Sequence, residues 1–394
     1  MGRSFTLVFG IFLGLTASFG STARPTMMPA PPQISASAYL LIDADSGRVI
    51  VEHNADQTLG PASLTKLMTS YVLSYALAEG HVSNSDQVLI SKNAWSQNPV
   101  FSGSSLMWIE VGKEVELADL HRGIVVSSGN DASVAVAEHI AGSESAFADI
   151  MNQHADILGM TNTHYVNSHG LPAPEHYTSA RDLATLARAI IKQFPEEYRL
   201  YSEREFSYNN IRQYNRNSLM AEDSSVDGLK TGHTSEAGYC LVASAKKQDM
   251  RLISVVLGAS SESVRKRESK KLLSYGFRFF ETHKLYTAGE QVLDVRVWQG
   301  LENSLSLGIE TELYLTIPRG RHGDLRASTI IEDVIAAPVS YLQTLGTVQI
   351  KLSGETLLER PLVALQAVEP SGFFARLWDQ IVLLFSQIFG GSGQ

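Results

Sequence analysis

Apolar residues along this chain recur with two periods, and the changes from one to the other divide it into regions. Tyr39-Leu-Leu-Ile-Asp43 and Arg48-Val-Ile-Val-Glu52 are apolar-rich runs joined by the turn cluster Ala44-Asp45-Ser46-Gly47, a pattern that predicts a hairpin. Between about residues 63 and 195 the spacing lengthens to three and four. Leu64, Leu67, Met68, Tyr71, Val72 and Tyr75 fall on one side of a helix, as do Leu183, Leu186, Ala187 and Ile190. Strand patterns return at 225–231, 239–244 and 252–258, and 271–280 is helical again. Strands at both ends of a helical block imply one sheet flanked by helices, an α/β (α+β) domain over residues 36–283. From about Thr287 the pattern shortens to alternating runs such as Thr347-Val-Gln-Ile-Lys-Leu352, which predicts a separate small all-β domain, residues 284–370.

The two ends differ from both domains. Arg3, the apolar run 5–20 and the small residues Ser21-Thr22-Ala23 are expected to form a cleaved secretory signal, residues 1–23. The run falls short of the ~20 apolar residues that a membrane span needs. Pro25, Pro29, Pro31 and Pro32 make residues 24–35 a stiff segment that is neither helix nor central strand. After Pro370-Ser371-Gly372, the final stretch 371–394 carries Phe373, Phe374, Leu377, Trp378, Ile381, Val382, Phe385, Ile388 and Phe389 at helical spacing. So many large apolar side chains on one face predict an amphipathic helix lying in a membrane surface. Arg376 and Asp379 cancel, so apolar area rather than charge would drive the attachment.

Composition narrows the function classes. The chain has 394 residues, 44% of them hydrophobic, enough for two cores without covalent staples. A formal net charge of −9 sets the summed field against a phosphate backbone, so nucleic acid is not an expected partner. Cys240 is the single cysteine, which removes internal disulfides and cysteine-based zinc or redox motifs, and its strand setting predicts a packed core residue. No cofactor and no metal are expected.

Candidate chemistry begins with Ser63-Leu-Thr-Lys66. A serine hydroxyl is a weak nucleophile until a base removes its proton, and a lysine of lowered pKa can be that base. Three residues apart on a helix, the two side chains lie on neighbouring turns, and the positive potential of the helix N-terminus favours the neutral amine. The same tetrapeptide pattern occurs at Ser244-Ala-Lys-Lys247 and Ser263-Val-Arg-Lys266. Ser244 lies in a strand pattern, where positions three apart face opposite ways, and Ser263 lies in a charged polar stretch. Ser63 alone opens an apolar helix. Ser128-Gly-Asn130 follows the apolar Ile124-Val-Val and offers a hydroxyl to relay a proton and an amide to hold a peptide bond. Ser91-Lys-Asn93 and Ser207-Tyr-Asn209 match that loose pattern as well. Lys230-Thr-Gly232 stands on a strand pattern, where glycine lets a ligand approach the backbone and the lysine can face a carboxylate.

The ordered set Ser-x-x-Lys, Ser-x-Asn and Lys-Thr-Gly is that of serine β-lactamases and penicillin-binding proteins. The longer strings Ser127-Ser-Gly-Asn-Asp-Ala-Ser133, Gly159-Met-Thr-Asn-Thr163, Asn167-Ser-His-Gly-Leu171, Gly228-Leu-Lys-Thr-Gly-His-Thr234 and Tyr314-Leu-Thr-Ile-Pro-Arg-Gly320 closely resemble the low-molecular-mass penicillin-binding proteins that are D-alanyl-D-alanine carboxypeptidases. The resemblance covers the chain after the signal. It implies a transpeptidase-like domain, with an antiparallel sheet and an α-rich block, followed by the β domain. It also implies removal of the terminal D-alanine from peptidoglycan pentapeptides at the periplasmic face of a bacterial inner membrane, and covalent capture of β-lactam antibiotics.

Residue by residue, the resemblance makes Ser63 the acylated nucleophile and Lys66 the acceptor of its proton. Ser128 would pass that proton to the leaving D-alanine, Asn130 would hold the peptide amide and Lys230 would face the carboxylate. Thr231 and Thr234 would add hydroxyl donors beside Gly232, and the backbone N–H groups of Ser63 and His233 would form the oxyanion hole. Arg265 aligns with an arginine near the carboxylate site, although Arg265-Lys266-Arg267 also reads as a solvated basic face. Two rivals remain. A class A β-lactamase needs a glutamate-activated water; the stretch after Ser128 around His164 to His169 lacks a glutamate, and Glu175 is the nearest candidate downstream of it. A catalytically silent wall-binding or cell-shape protein would keep the fold without the reaction.

Overall fold

The computed structural model describes residues 28–389, so the expected signal lies outside the described residues. Five strands form one antiparallel sheet in the order Val49–His53, Ala38–Asp43, Met250–Ala259, Gly238–Lys247 and Val226–Thr234. The expected hairpin is its first edge. Asp43 Oδ1 accepts the N–H groups of Asp45 and Ser46 at 3.1 and 2.7 Å, and Gly47 turns the chain at φ 74°, a conformation that glycine adopts without a Cβ clash.

The central strand has no polar face. Ile253, Val255 and Leu257 enter one core while Leu252 and Val256 enter another, so alternation sorts the side chains between two apolar layers. Helices Thr65–Ala78 and Ala180–Gln193 cover the first layer, which also takes up Cys240, free and buried. Helix Glu262–Phe279 covers the second. It starts well before the expected 271, because Ser261 caps it through the Val264 N–H at 3.2 Å and its charged first turns carry little apolar periodicity.

The α-rich block builds a further core from Leu73, Phe101, Leu120, Ile124 and Val134. It also holds the strand pair Gln87–Leu89 and Glu114–Glu116, too short for alternation to announce. From residue 280 to about 370 the chain is built of strands, with one 3-10 turn at His322–Asp324, which is the all-β domain expected. A ribbon of Phe280–Tyr286 and Leu313–Pro318 accompanies a six-stranded sheet centred on Val297, Leu305, Leu307 and Val348. The ribbon docks on the hairpin edge of the first sheet: Thr282 Oγ1 donates to Asp43 Oδ2 at 2.7 Å and Arg48 Nη1 to the Thr316 carbonyl at 2.6 Å. That edge lies opposite Val226–Thr234, which leaves the strand bearing Lys-Thr-Gly open. Helix Phe373–Phe389 follows, tied back where the Gln299 N–H donates to Asp379 Oδ2 at 2.6 Å, with Phe373, Phe374 and Trp378 exposed.

Candidate active site

Ser63 sits in a single 3-10 turn, Ala62–Leu64, one step ahead of the helix Thr65–Ala78 rather than inside it. The turn is strained. Ala62 has φ 49°, a left-handed value that costs a residue with a Cβ about 1–3 kcal/mol. Its neighbours hold it there. A Cβ on Gly170 would stand 1.9 Å from the Ala62 carbonyl oxygen, so the Asn167-Ser-His-Gly loop packs on the turn only because residue 170 is glycine. From below, Thr65 Oγ1 donates to the same carbonyl at 2.9 Å and lies 2.8 Å from His176 Nε2. His176 Nδ1 accepts the Val166 N–H at 3.1 Å, which leaves the hydrogen of the neutral ring on Nε2, donated to Thr65. Burial lowers the His176 pKa to about 4 and so preserves that tautomer.

Lys66, one helical turn beyond Ser63, places Nζ 3.2 Å from Ser63 Oγ. The amine also donates to Asn130 Oδ1 at 2.6 Å and to the His169 carbonyl at 2.5 Å. The residue is 1% exposed, and burial pushes its pKa down to about 7 against the opposing pull of Asp131 and Glu144. Such a lysine has a substantial neutral fraction at ordinary pH, as a general base requires.

Ser128 ends a π-helical turn, Gly123–Ser127, at φ 62°, and the helix Asn130–Ala141 starts just after it. This break aims Asn130 at Lys66 and Ser128 at Lys230. Asn130 Nδ2 donates to Ser104 Oγ at 2.8 Å. Asp131, fully buried, accepts the N–H groups of Met107, Trp108 and Ile109 at 2.8, 2.8 and 3.2 Å and so pins the loop that carries Ser104. From the edge strand, Lys230 Nζ donates to Ser128 Oγ at 2.8 Å. Burial holds the Lys230 pKa well below the usual lysine range, with Lys66, Arg216 and Arg265 pushing the same way.

These groups surround a cavity of about 280 Å³ lined by Ser63, Ser128, Asn130, Thr231, Gly232, His233, Thr234 and Arg265. Lys66 and Lys230 lie beneath it, each under a serine. The expected site residues thus converge, with adjustments. The Lys230 side chain is engaged with Ser128 rather than lining the cavity, and Arg265 is no solvated residue: it is 6% exposed, donates to the Gly232 carbonyl at 3.2 Å and lies 5.6 Å from the centre of the Tyr239 ring. His233 is exposed and stacks on Tyr239 at 3.9 Å between centroids. Ser104 and Arg216 line the site without having been singled out, since no local pattern marks them, and the His169 carbonyl enters it from the quoted string Asn167-Ser-His-Gly-Leu171, which had been given no role.

The competing motifs separate clearly. Ser244 Oγ accepts from Arg251 at 2.6 Å while Lys247 faces out. Ser263-Val-Arg-Lys266 does begin a helix, but Lys266 pairs with Glu222 at 2.6 Å on the surface. Glu175 is exposed, with its backbone carbonyl taking a hydrogen bond from His164. Glu144 sits behind His169 at 3.4 Å, and Glu262 lies by Arg265 at 3.6 Å. Of these three, Glu262 alone lines the cavity, where it faces Arg265, and the hydrogen-bond partner of Ser63 Oγ is Lys66 rather than a glutamate, which weighs against a class A β-lactamase.

Residues 25–261 match the D-alanyl-D-alanine carboxypeptidase family, peptidase S11, and residues 280–370 match the C-terminal domain of penicillin-binding protein 5. The D-alanyl-D-alanine carboxypeptidase DacA of Escherichia coli K12 is 48% identical over 368 residues, 93% of this chain and 91% of that protein. DacC of the same organism is 45% identical over 382 residues, 96% and 95% of the two chains. Penicillin binding protein 5 of Haemophilus influenzae superposes with a TM-score of 0.83 at 44% identity, covering 86% of this chain and 99% of its own. A structure of penicillin-binding protein D2 of Listeria monocytogenes in its ampicillin-bound form superposes at a TM-score of 0.56 and 28% identity, covering 63% of this chain and 100% of its own. The chain belongs to the D-alanyl-D-alanine carboxypeptidase family, peptidase S11, and carries the C-terminal β domain of penicillin-binding protein 5.

Proposed function

We propose that this protein removes the terminal D-alanine from peptidoglycan stem pentapeptides through an acyl-enzyme on Ser63. The observation that carries the reading is the buried Lys66 amine, 3.2 Å from Ser63 Oγ with its pKa near 7. Neutral Lys66 takes the Ser63 proton as the oxygen attacks the carbonyl between the two D-alanines. The backbone N–H groups of Ser63 and His233 receive the developing oxyanion, each worth about 3 kcal/mol of barrier. Ser128, held by Lys230, relays the proton from Lys66 to the departing amine, which returns Lys66 to its neutral form. Asn130 orients the peptide amide, while Arg265 and the hydroxyls of Thr231 and Thr234 beside Gly232 take the carboxylate of the leaving residue. Water then attacks the ester with Lys66 again as base, which needs no glutamate. A β-lactam enters the same sequence and stalls at the acyl-serine, because the amine it releases stays tethered to the acyl group.

The division of labour follows the chain: a signal over 1–23, a Pro-rich segment over 24–35, the catalytic domain over 36–283, the β domain over 284–370 and a membrane-surface anchor over 371–394. The exposed aromatics of helix Phe373–Phe389 support the anchor, and none of the described helices is long and apolar enough to cross a membrane. On this reading the protein works at the periplasmic face of the inner membrane.

Mass spectrometry of the penicillin adduct, together with D-alanine release from a pentapeptide, tests site and reaction at once. The adduct is expected on Ser63, and a Ser63→Ala protein that still takes up penicillin refutes the assignment. Deleting residue 373 onward is expected to give soluble protein with unchanged activity on a short peptide; persistent membrane association moves the anchor elsewhere.

A further inference from the structure

The loop that reaches Lys66 is itself held from behind. Segment 167–171 supplies the His169 carbonyl, which accepts from the Lys66 amine at 2.5 Å, and Gly170, which packs on the Ala62 carbonyl. Asn167 closes the loop from within: its Oδ1 accepts the Gly170 N–H at 2.7 Å and its Nδ2 donates to the Leu171 carbonyl at 3.0 Å. From the helix Thr65–Ala78, Thr69 Oγ1 donates to the Ser168 carbonyl at 2.5 Å. An ionisable side chain from a third element completes the set. Glu144, the first residue of the helix Glu144–Ile157, accepts both the N–H and the hydroxyl of Ser168 on Oε1, at 2.9 and 2.6 Å. The same oxygen lies 3.4 Å from His169 Nε2. Because His169 Nδ1 accepts the Leu171 N–H at 3.1 Å, the hydrogen of the neutral ring is on Nε2 and faces the carboxylate. Burial, with Lys66 and His176 pushing the same way, lowers the His169 pKa to about 3, so a neutral ring meets the carboxylate.

Three donors on two successive residues thus converge on one oxygen. Glu144 does not line the catalytic cavity, so any part it takes in the reaction passes through this loop. Placement at that distance matters, because moving a reacting group by 1 Å can cost about a hundredfold in rate.

We infer that Glu144 is a positioning residue for the Ser63–Lys66 pair: through Ser168 and His169 it fixes the backbone carbonyl that claims one hydrogen of the Lys66 amine and so keeps the amine turned to Ser63. The inference rests on the reading of Lys66 as the base and extends it to a residue that never meets substrate.

Charge separates this role from plain packing. Lys66 is faced by Asp131, Glu144 and Arg216, with His169, His176 and Lys230 as further titratable neighbours. The two carboxylates favour the ammonium form, and burial is the largest cause opposing it. Removing the Glu144 charge therefore moves the Lys66 pKa down, whereas a pocket merely loosened, with water admitted, moves it up.

Two variants of the full chain test the assignment. Glu144→Gln keeps an acceptor for Ser168 and drops the charge. Its plateau kcat is expected within about threefold of wild type, with the acid limb of kcat/KM at lower pH, so that at pH 6 it keeps about twofold more of its plateau rate than the wild type does. Glu144→Ala loses the acceptor as well. Its kcat per penicillin-binding site is expected to fall about tenfold, with KM for Nα,Nε-diacetyl-L-lysyl-D-alanyl-D-alanine within about twofold. If that variant takes up no penicillin, Ser168→Ala, which removes the hydroxyl alone, replaces it with an expected fall of about threefold in kcat. An unchanged kcat in the alanine variant used, or a glutamine variant whose acid limb stays in place or moves to higher pH, overturns the assignment. A wild type that releases no D-alanine overturns the carboxypeptidase reading instead. The rates of acylation by benzylpenicillin, which needs the same proton transfer, then decide between the variants in the same way.

Discussion

The catalytic pocket and the small β domain bury their residues by opposite means. In the strand Thr344–Leu352 of the β domain, Leu345, Val348 and Ile350 turn inward while Thr347, Gln349 and Lys351 stay partly exposed, and apolar area does the stabilising. In the pocket, Lys66, Asn130, Asp131 and Lys230 are all nearly inaccessible, and each is satisfied by named partners. Apolar contacts fail one at a time and in proportion to their size. A buried polar network fails as a unit, because a lost partner leaves others unpaired in a medium that cannot solvate them. The pocket also keeps Ala62 and Ser128 in left-handed conformations that its neighbours must enforce.

Four experiments press on that contrast, the largest effect first. Asp131→Ala strands three N–H groups of the Ser104 loop and is expected to cost about 3–5 kcal/mol in urea unfolding, with activity lost alongside. A loss under about 1 kcal/mol would show that the network is not what holds the loop. Leu307→Ala in the β-domain core is expected to cost about 2–5 kcal/mol of that domain's stability and leave D-alanine release within twofold; a drop in catalysis to match would erase the distinction between the regions.

The third measurement is a pH profile. Lys66 must be neutral to accept a proton, and its pKa lies near 7, so kcat/KM is expected to fall about tenfold for each unit below that value. A profile that stays flat down to pH 5 removes Lys66 as the base. Last, His176→Phe keeps the packing beneath the turn and deletes the donor to Thr65; kcat is expected to fall about fivefold, with KM and the circular dichroism spectrum unchanged. An unchanged kcat would mean that Gly170 alone holds the Ser63 turn.

The contrast also explains what the sequence made legible. Alternation revealed the β domain because its interior is apolar and each strand reports its own register. The pocket was readable where the chemistry occupies short strings, as in Ser63 to Lys66 and Lys230 to Gly232. It was opaque where a contact joins distant residues. Nothing near Arg216 or Ser104 in sequence announces the pocket, and Asp131 stood inside a recognised string without a role. Helix 262–279 was seen only in its later turns, because a charged first turn looks the same whether Arg265 points out or in. Ser263 and Lys266 show that even serine and lysine at a helix start decide nothing until the lysine is buried.

The three neighbours of Lys66 have a stereochemical consequence. A neutral amine has two hydrogens and one lone pair. The Asn130 side chain and the His169 carbonyl can each claim a hydrogen and offer none in return. Once both are claimed, the lone pair is left for the third direction, the one occupied by Ser63 Oγ. The two acceptors therefore act as a jig: they aim the base before substrate arrives, and a loss of either would let the amine spin, so that a group of unaltered basicity would spend most of its time pointing the wrong way.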